Sequence, residues 1–195
     1  MSGFLPDPIV RIIVCGNADR GDDGLALSAI AHLLPALPHG LLAKVEIRRS
    51  LELRVEDLVD LSPGVSCLIL DAVAGIEPGR VVSLPLSDLL ERPAFAPRSS
   101  HELPIDLLVG LAGIIREAPV PGTFVGLGGH GFDYGASLSR AVRAAMPAYT
   151  EAIVAALRAL AEPGPVGRDE AAPRVAEAPS IQPATPASPT TGAEA

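Results

Sequence analysis

The sequence is poor in residue types on which several protein classes depend. Aromatic side chains make up 3% of its 195 residues and tryptophan is absent, so the core has to be built from aliphatic side chains. Lys44 is the single lysine, and the formal net charge is −8. Because nucleic-acid binding needs a basic face and no run of the chain supplies one, we expect no nucleic-acid partner.

Cysteine is scarce as well. The chain has Cys15 and Cys67, each inside an apolar run, and no CxxC pair. This excludes a zinc ribbon and a thioredoxin motif, and it predicts buried, reduced thiols. The first residues, MSGFLPDP, lack the basic and apolar regions of a secretory signal, so we expect a cytoplasmic location.

The long apolar stretch at residues 25–42 lacks the character of a membrane span. It contains two histidines and, near one end, Pro35 and Pro38. Prolines there would break a spanning helix, and histidines are costly in lipid. We therefore expect no membrane partner and a helix that ends near Leu34.

We also expect the chain to be a monomer.

Short apolar runs and helical patterns alternate along most of the chain. We predict strands at residues 10–15, 44–48, 67–70, 80–84 and 123–127, and helices at residues 25–34, 55–61, 104–115 and 139–161. This alternation predicts an α/β domain, spanning residues 1–162, with a parallel or mixed sheet and helices on both faces. Residues 163–195 hold seven prolines among Ala, Thr, Ser and Glu, which predicts a disordered tail.

The turn between the first predicted strand and the first predicted helix is acidic. It reads GNADRGDDG from Gly16 to Gly24 and includes Asp22 and Asp23. Strand-to-helix turns of open α/β sheets hold ligands, but a phosphate site relies on backbone N–H groups and positive charge. We therefore expect this acidic turn to bind a cation or a proton. One of the two adjacent aspartates is expected to cap the helix, and the other to face a site.

Two more polar residues are predicted to reach the same edge of the sheet. Asp71 follows the buried run CLIL, and His101 precedes a helix that we expect to begin at Pro104. The plain alternatives are a turn-forming Asp71 and a histidine of the surface or core. Three loops at one edge would together carry two carboxylates and one imidazole. That set predicts an open metal site suited to Zn, Ni, Mn or Fe.

Other sequence motifs are weaker indications of function. GLGGHG, residues 126–131, matches GxGxxG after a strand, but no helix is expected before about Ser139 and no acidic residue follows at the usual spacing. A nucleotide-binding α/β protein is kept as an alternative on this motif. No GxSxG motif is present, so the nucleophile of an α/β-hydrolase is missing.

Four motifs follow one another between Ile12 and Leu160: GN and DDG in the acidic loop, LDAV followed by PG, SHELPIDLL, and FVGLG. In this order and spacing they resemble the hydrogenase maturation endopeptidases, which remove a C-terminal extension from the large subunit of [NiFe] hydrogenases. The resemblance implies a single three-layer α/β domain with a mostly parallel five-stranded sheet flanked by helices. It also implies that Asp23, Asp71 and His101 are the catalytic and metal-site residues. Nickel would arrive in the large-subunit precursor, and the protease would hold no metal tightly.

The chain departs from that family pattern in three places. Val14 stands where many members have glycine, RRSLEL at residues 48–53 replaces a glycine-rich turn, and GLGG at residues 126–129 replaces GIQP. The last two changes lie in loops that can contact substrate, so the client hydrogenase stays open. They also leave open a protein that binds the nickel-loaded precursor as a checkpoint without cleaving it.

Overall fold

A computed structural model of the chain describes residues 8–91 and 104–162. Strands and helices alternate through this part of the chain. The strands are β1 (Val10–Cys15), β2 (Val45–Ser50), β3 (Ser66–Val73), β4 (Val81–Pro85) and β5 (Gly122–Gly128). The α-helices are α1 (Leu25–Leu33), α2 (His39–Leu42), α3 (Val55–Val59), α4 (Leu86–Glu91), α5 (Ile105–Arg116) and α6 (Arg140–Ala161). A 3-10 turn at Gly21–Gly24 leads into α1, and a second at Leu34–Ala36 follows it.

The strands form one sheet in the order β2-β1-β3-β5-β4. β1, β2, β3 and β5 are parallel, and β4 runs antiparallel beside β5 at one edge. The apolar runs of β1 and β3 fit their central places, because a strand covered on both faces needs no polar alternation. The structure confirms the expected α/β domain with a mostly parallel five-stranded sheet.

Helices cover both faces of the sheet and enclose two aliphatic cores. On β3, Leu68, Leu70 and Ala72 belong to the core shared with α1 and α6. Cys67 and Ile69 belong to the core shared with α3, α4 and α5. Because side chains alternate across a strand, Asp71 lies on the α5 side of the sheet.

Several predicted boundaries are confirmed closely. Pro104 is the N-cap of α5, and Ser139 caps α6 by accepting a hydrogen bond from the Val142 amide at 3.3 Å. Both cysteines are buried and free, as expected. Two short helices, α2 and α4, were not predicted. Within the described residues, no helix has the length and hydrophobicity needed to cross a bilayer.

Two predictions concern residues outside the described ranges. His101 lies in the segment 92–103, between α4 and α5, and the proline-rich tail lies beyond residue 162. The predicted capping of α1 by an aspartate is wrong. Its N-cap is Gly24, which has no side-chain cap bond, since the carboxylates of Asp22 and Asp23 bond elsewhere.

Candidate active site

Two carboxylates are buried at the edge of the sheet where β1, β3 and β5 end. Asp23 lies in the 3-10 turn after β1, and Asp71 lies in β3; each is 1% exposed. Buried carboxylates are rare unless paired, hydrogen-bonded or bound to a metal. Their place at the carboxyl edge of a parallel sheet is where open α/β folds bind ligands.

Asp71 is held by the sheet itself. β3 continues to Val73, so Asp71 lies inside the strand and pairs with Gly126 of β5. Its Oδ1 accepts a hydrogen bond from the Ala72 amide at 2.7 Å. The alternative of a turn-forming aspartate is therefore wrong. The pairing of β3 with β5 fixes the backbone position of Asp71.

Asp23 is held by contacts within the acidic loop. Its Oδ2 accepts a hydrogen bond from the Asn17 amide at 3.0 Å. Gly16 has a φ of 121°, and a Cβ at that position would collide with the Asp23 carbonyl oxygen. Only glycine tolerates both conditions. Asn17 accepts from the Asp19 amide through Oδ1 at 2.9 Å, so Asn17 shapes the loop.

Cys15, the last residue of β1, is buried among acidic side chains. Burial raises the pKa of its thiol well above the ordinary value, and the negative charges of Asp71, Asp57, Asp23 and Glu52 raise it further. A thiol kept protonated in this way is a poor nucleophile, so the site does not have the character of a cysteine peptidase.

Asp22 binds the loop between β5 and α6. Its Oδ2 accepts from the amides of His130 and Gly131 at 2.9 and 3.2 Å. Its Oδ1 accepts from the Ser139 amide at 2.6 Å. Burial alone would raise the pKa of Asp22, but these backbone donors outweigh it and lower the pKa. The sequence led us to expect a helix cap from one of the two aspartates, and it contained no sign of these distant partners.

The same bonds argue against nucleotide binding by GLGGHG. A dinucleotide fold needs free amides that point at phosphate and a helix that begins at once. Here the amides of His130 and Gly131 already bind the Asp22 carboxylate, and α6 begins only at Arg140. The anion bound by this loop is therefore the Asp22 carboxylate.

The start of α5 lies at the same edge as the two aspartates. Arg116, at the other end of α5, donates through Nη1 to the carbonyl oxygens of Leu58, Val59 and Leu61 at 3.2, 3.0 and 2.8 Å. Those carbonyls precede β3, so Arg116 lies toward the amino ends of the strands. Ile105, at the start of α5, consequently lies toward their carboxyl ends.

Two of the three predicted metal ligands, Asp23 and Asp71, lie within the described residues. Among residues 8–91 and 104–162, no group of three His, Cys, Asp or Glu side chains is arranged to hold a metal ion. Asp23 and Asp71 as metal ligands therefore stay a prediction. His101 as the third ligand stays a prediction.

The fold and site define a class: a three-layer α/β domain with two buried carboxylates at the carboxyl edge of its sheet. Among solved structures, the hydrogenase maturating endopeptidase HybD from E. coli matches with a TM-score of 0.61 at 22% identity, covering 77% of this chain and 92% of that chain. No protein-family model matches the sequence, and no curated protein sequence matches it.

Two archaeal structures are similar to this chain in fold as well. The [NiFe] hydrogenase maturation protease HybD from Thermococcus kodakarensis matches with a TM-score of 0.51 at 24% identity, covering 73% of this chain and 94% of that one. The hydrogenase 2 maturation peptidase from Thaumarchaeota archaeon SCGC_AB-539-E09 matches with a TM-score of 0.50 at 25% identity, covering 76% and 97%. The chain has the fold of the [NiFe] hydrogenase maturation proteases, which confirms the resemblance indicated by its motifs.

Proposed function

We propose that this protein is an endopeptidase that removes the C-terminal extension of a [NiFe] hydrogenase large-subunit precursor after nickel insertion. The observation that carries the proposal is the pair of buried carboxylates, Asp23 and Asp71, at the carboxyl edge of a sheet with the fold of such proteases. The solved structures of this fold carry names that describe hydrogenase maturation, which supports the same role here.

Nickel is part of the substrate in this proposal. Asp23, Asp71 and His101 engage the metal already seated in the precursor, so cleavage reports that insertion is complete. A metal at this position either polarises the scissile carbonyl or acidifies a water molecule. One of the two carboxylates, for which Asp23 is our choice, accepts the proton. No thiolate step is required, in keeping with the protonated state of Cys15.

The test is processing of a nickel-loaded precursor, followed by the mass of the large subunit. We expect Asp23→Asn, Asp71→Asn and His101→Ala each to slow cleavage by about 100-fold or more while the protein stays folded, because each removes a ligand or a proton acceptor. Asp19→Asn is the matched control, since Asp19 is an exposed aspartate of the same loop. It should retain cleavage within about twofold.

Two outcomes would redirect the proposal. Full activity in any of the three site variants would remove that residue from the mechanism. Binding of the precursor by the wild-type protein, with no change in its mass, would instead establish the checkpoint alternative. A precursor prepared without nickel should not be cleaved, which separates recognition of the metal from recognition of the peptide.

A further inference from the structure

Asp22 forms a link between two loops that are far apart in the sequence. Its side chain is completely buried, and its carboxylate accepts three backbone hydrogen bonds. The donors lie 108 to 117 residues further along the chain, in the loop that joins β5 to α6. A carboxylate that accepts two or three backbone N–H bonds is strongly held in its charged form.

Further contacts clamp the same two loops together. The Asp22 amide donates to the Gly131 carbonyl at 2.7 Å, and the Gly135 amide donates to the Asp19 carbonyl at 2.8 Å. Arg20 donates through Nε to the Phe132 carbonyl at 3.3 Å, and its guanidinium lies 5.3 Å from the centre of the Tyr134 ring. The turn that carries Asp23 is therefore attached along one side to the loop after β5.

The bonds between the acidic turn and the loop after β5 determine the direction of the Asp23 side chain. Asp23 follows Asp22 directly in the 3-10 turn, and its backbone carbonyl lies against Gly16, where no Cβ fits. With one side of the turn tied by Asp22 and the other closed by Gly16, the Asp23 carboxylate is directed to the Asn17 amide. A turn released from the loop after β5 would lose that direction.

We propose that Asp22 is a positioning residue: its buried carboxylate acts as an internal anion that binds the loop after β5 and thereby holds Asp23 in the orientation the site needs. The inference rests on the proposed function for its catalytic consequence. Its structural consequence, the orientation of Asp23, is measurable without any substrate or metal.

The charge of Asp22 is essential to this role. Removing the carboxylate leaves the amides of His130, Gly131 and Ser139 without their acceptor, and buried donors left unpaired destabilise the loop. Asparagine at this position keeps the shape but has one acceptor oxygen for three donors. A small soluble carboxylate can take the vacated place in Asp22→Ala, since formate has the size of the deleted group.

The experiment measures amide hydrogen exchange in the full-length protein by NMR. The reporter is the Asn17 amide, which donates to Asp23 Oδ2, and the internal control is the Gly16 amide, which donates to the Ser50 carbonyl at 3.1 Å. We expect Asp22→Ala to speed exchange at Asn17 about tenfold or more while Gly16 stays within about twofold. Sodium formate should restore the protection, and sodium chloride at the same concentration should not.

Two results would overturn the proposal. Unchanged exchange at Asn17 in Asp22→Ala would show that Asp23 is directed without Asp22. Equal acceleration at Asn17 and Gly16, unaffected by formate, would show a general loss of stability instead. If Asp22→Ala does not fold, Asp22→Asn is judged by the same comparison of Asn17 with Gly16.

Cleavage of the nickel-loaded precursor adds the catalytic consequence. Asp22→Ala should lower kcat by about tenfold or more with little change in KM, because Asp22 orients a reacting group and does not touch substrate. Formate should restore kcat. A wild-type protein that never cleaves the precursor contradicts the proposed function alone, since the exchange measurement still decides whether Asp22 positions Asp23.

Discussion

The acidic loop after β1 and the end of β3 each present one buried aspartate to the same edge of the sheet, but they hold it in different ways. In the acidic loop, Asp23 depends on a crowded turn that is tied to the loop after β5. At the end of β3, Asp71 is part of a strand, and the turn that follows is open: a Cβ added at Gly75 would meet no atom within 4 Å.

The difference shows that one half of the site is set by strand register and the other by tertiary contacts between loops. Register is a property of the whole sheet, so the position of Asp71 should survive changes in the loops. The position of Asp23 should be sensitive to single substitutions several residues away. The two halves can therefore be perturbed separately.

The largest effect should come from a methyl group added to the acidic loop. Gly16→Ala forces alanine into a φ of 121° and into collision with the Asp23 carbonyl oxygen. We expect it to lower the free energy of unfolding by about 3 kcal/mol. The measurement is urea unfolding of the full-length protein, followed by circular dichroism.

Gly75→Ala is the matched control for that substitution. Gly75 also has a positive φ, 83°, but a Cβ there meets nothing within 4 Å. Only the backbone conformation is then unfavourable, and the expected loss is about 1 kcal/mol. Equal losses in the two variants would contradict the claim that the acidic loop is the more crowded of the two regions.

A smaller effect should appear when the carboxylate of Asp22 is neutralised. Asp22→Asn should lower the free energy of unfolding at neutral pH by about 2 kcal/mol, because hydrogen bonds from three amides to a charged acceptor are lost or weakened. The pKa of Asp22 is lowered from its ordinary value of 3.8 by those amides. Its contribution is therefore complete above about pH 4 and is lost as the pH falls through the folded-state pKa.

The measurement is the difference in unfolding free energy between wild type and Asp22→Asn from pH 7 down to pH 2. The difference should shrink in acid, because the protonated wild-type side chain also has fewer acceptor sites. Asp19→Asn, which changes an exposed aspartate of the same loop, should show no such convergence. A constant difference across the whole range would argue that charge plays no part in the link.

The sequence predicted the two halves of the site unequally. The apolar run before Asp71 and the alternation of elements were enough to place that residue at the carboxyl end of a buried strand. The strand was expected to end at Asp71 and in fact continues to Val73, because pairing with β5 extends the ladder. The resemblance carried by the motif order selects Asp23 over Asp22 as the site residue, and this choice stays a prediction.

What local pattern did not reveal was how Asp22 is used. A cap on α1 was the expected role, since adjacent acidic residues before a helix usually serve its free amides. The actual donors belong to residues 130, 131 and 139, and only the folded sheet brings them to Asp22. Bonds across more than 100 residues leave no periodicity or spacing in a single sequence, so this half of the site is visible only in the folded chain.

The smallest effect should come from the exposed outer part of the link between the two loops. Tyr134 is 76% exposed and contributes its ring face to Arg20, and exposed cation–π contacts contribute about 0.5 kcal/mol. Tyr134→Ala should therefore lower the free energy of unfolding by about that amount and leave exchange at the Asn17 amide unchanged. Tyr134→Phe, which keeps the ring, should match wild type. A loss in Tyr134→Ala as large as that in Asp22→Asn would move the anchor of the acidic loop from the buried carboxylate to its surface contacts.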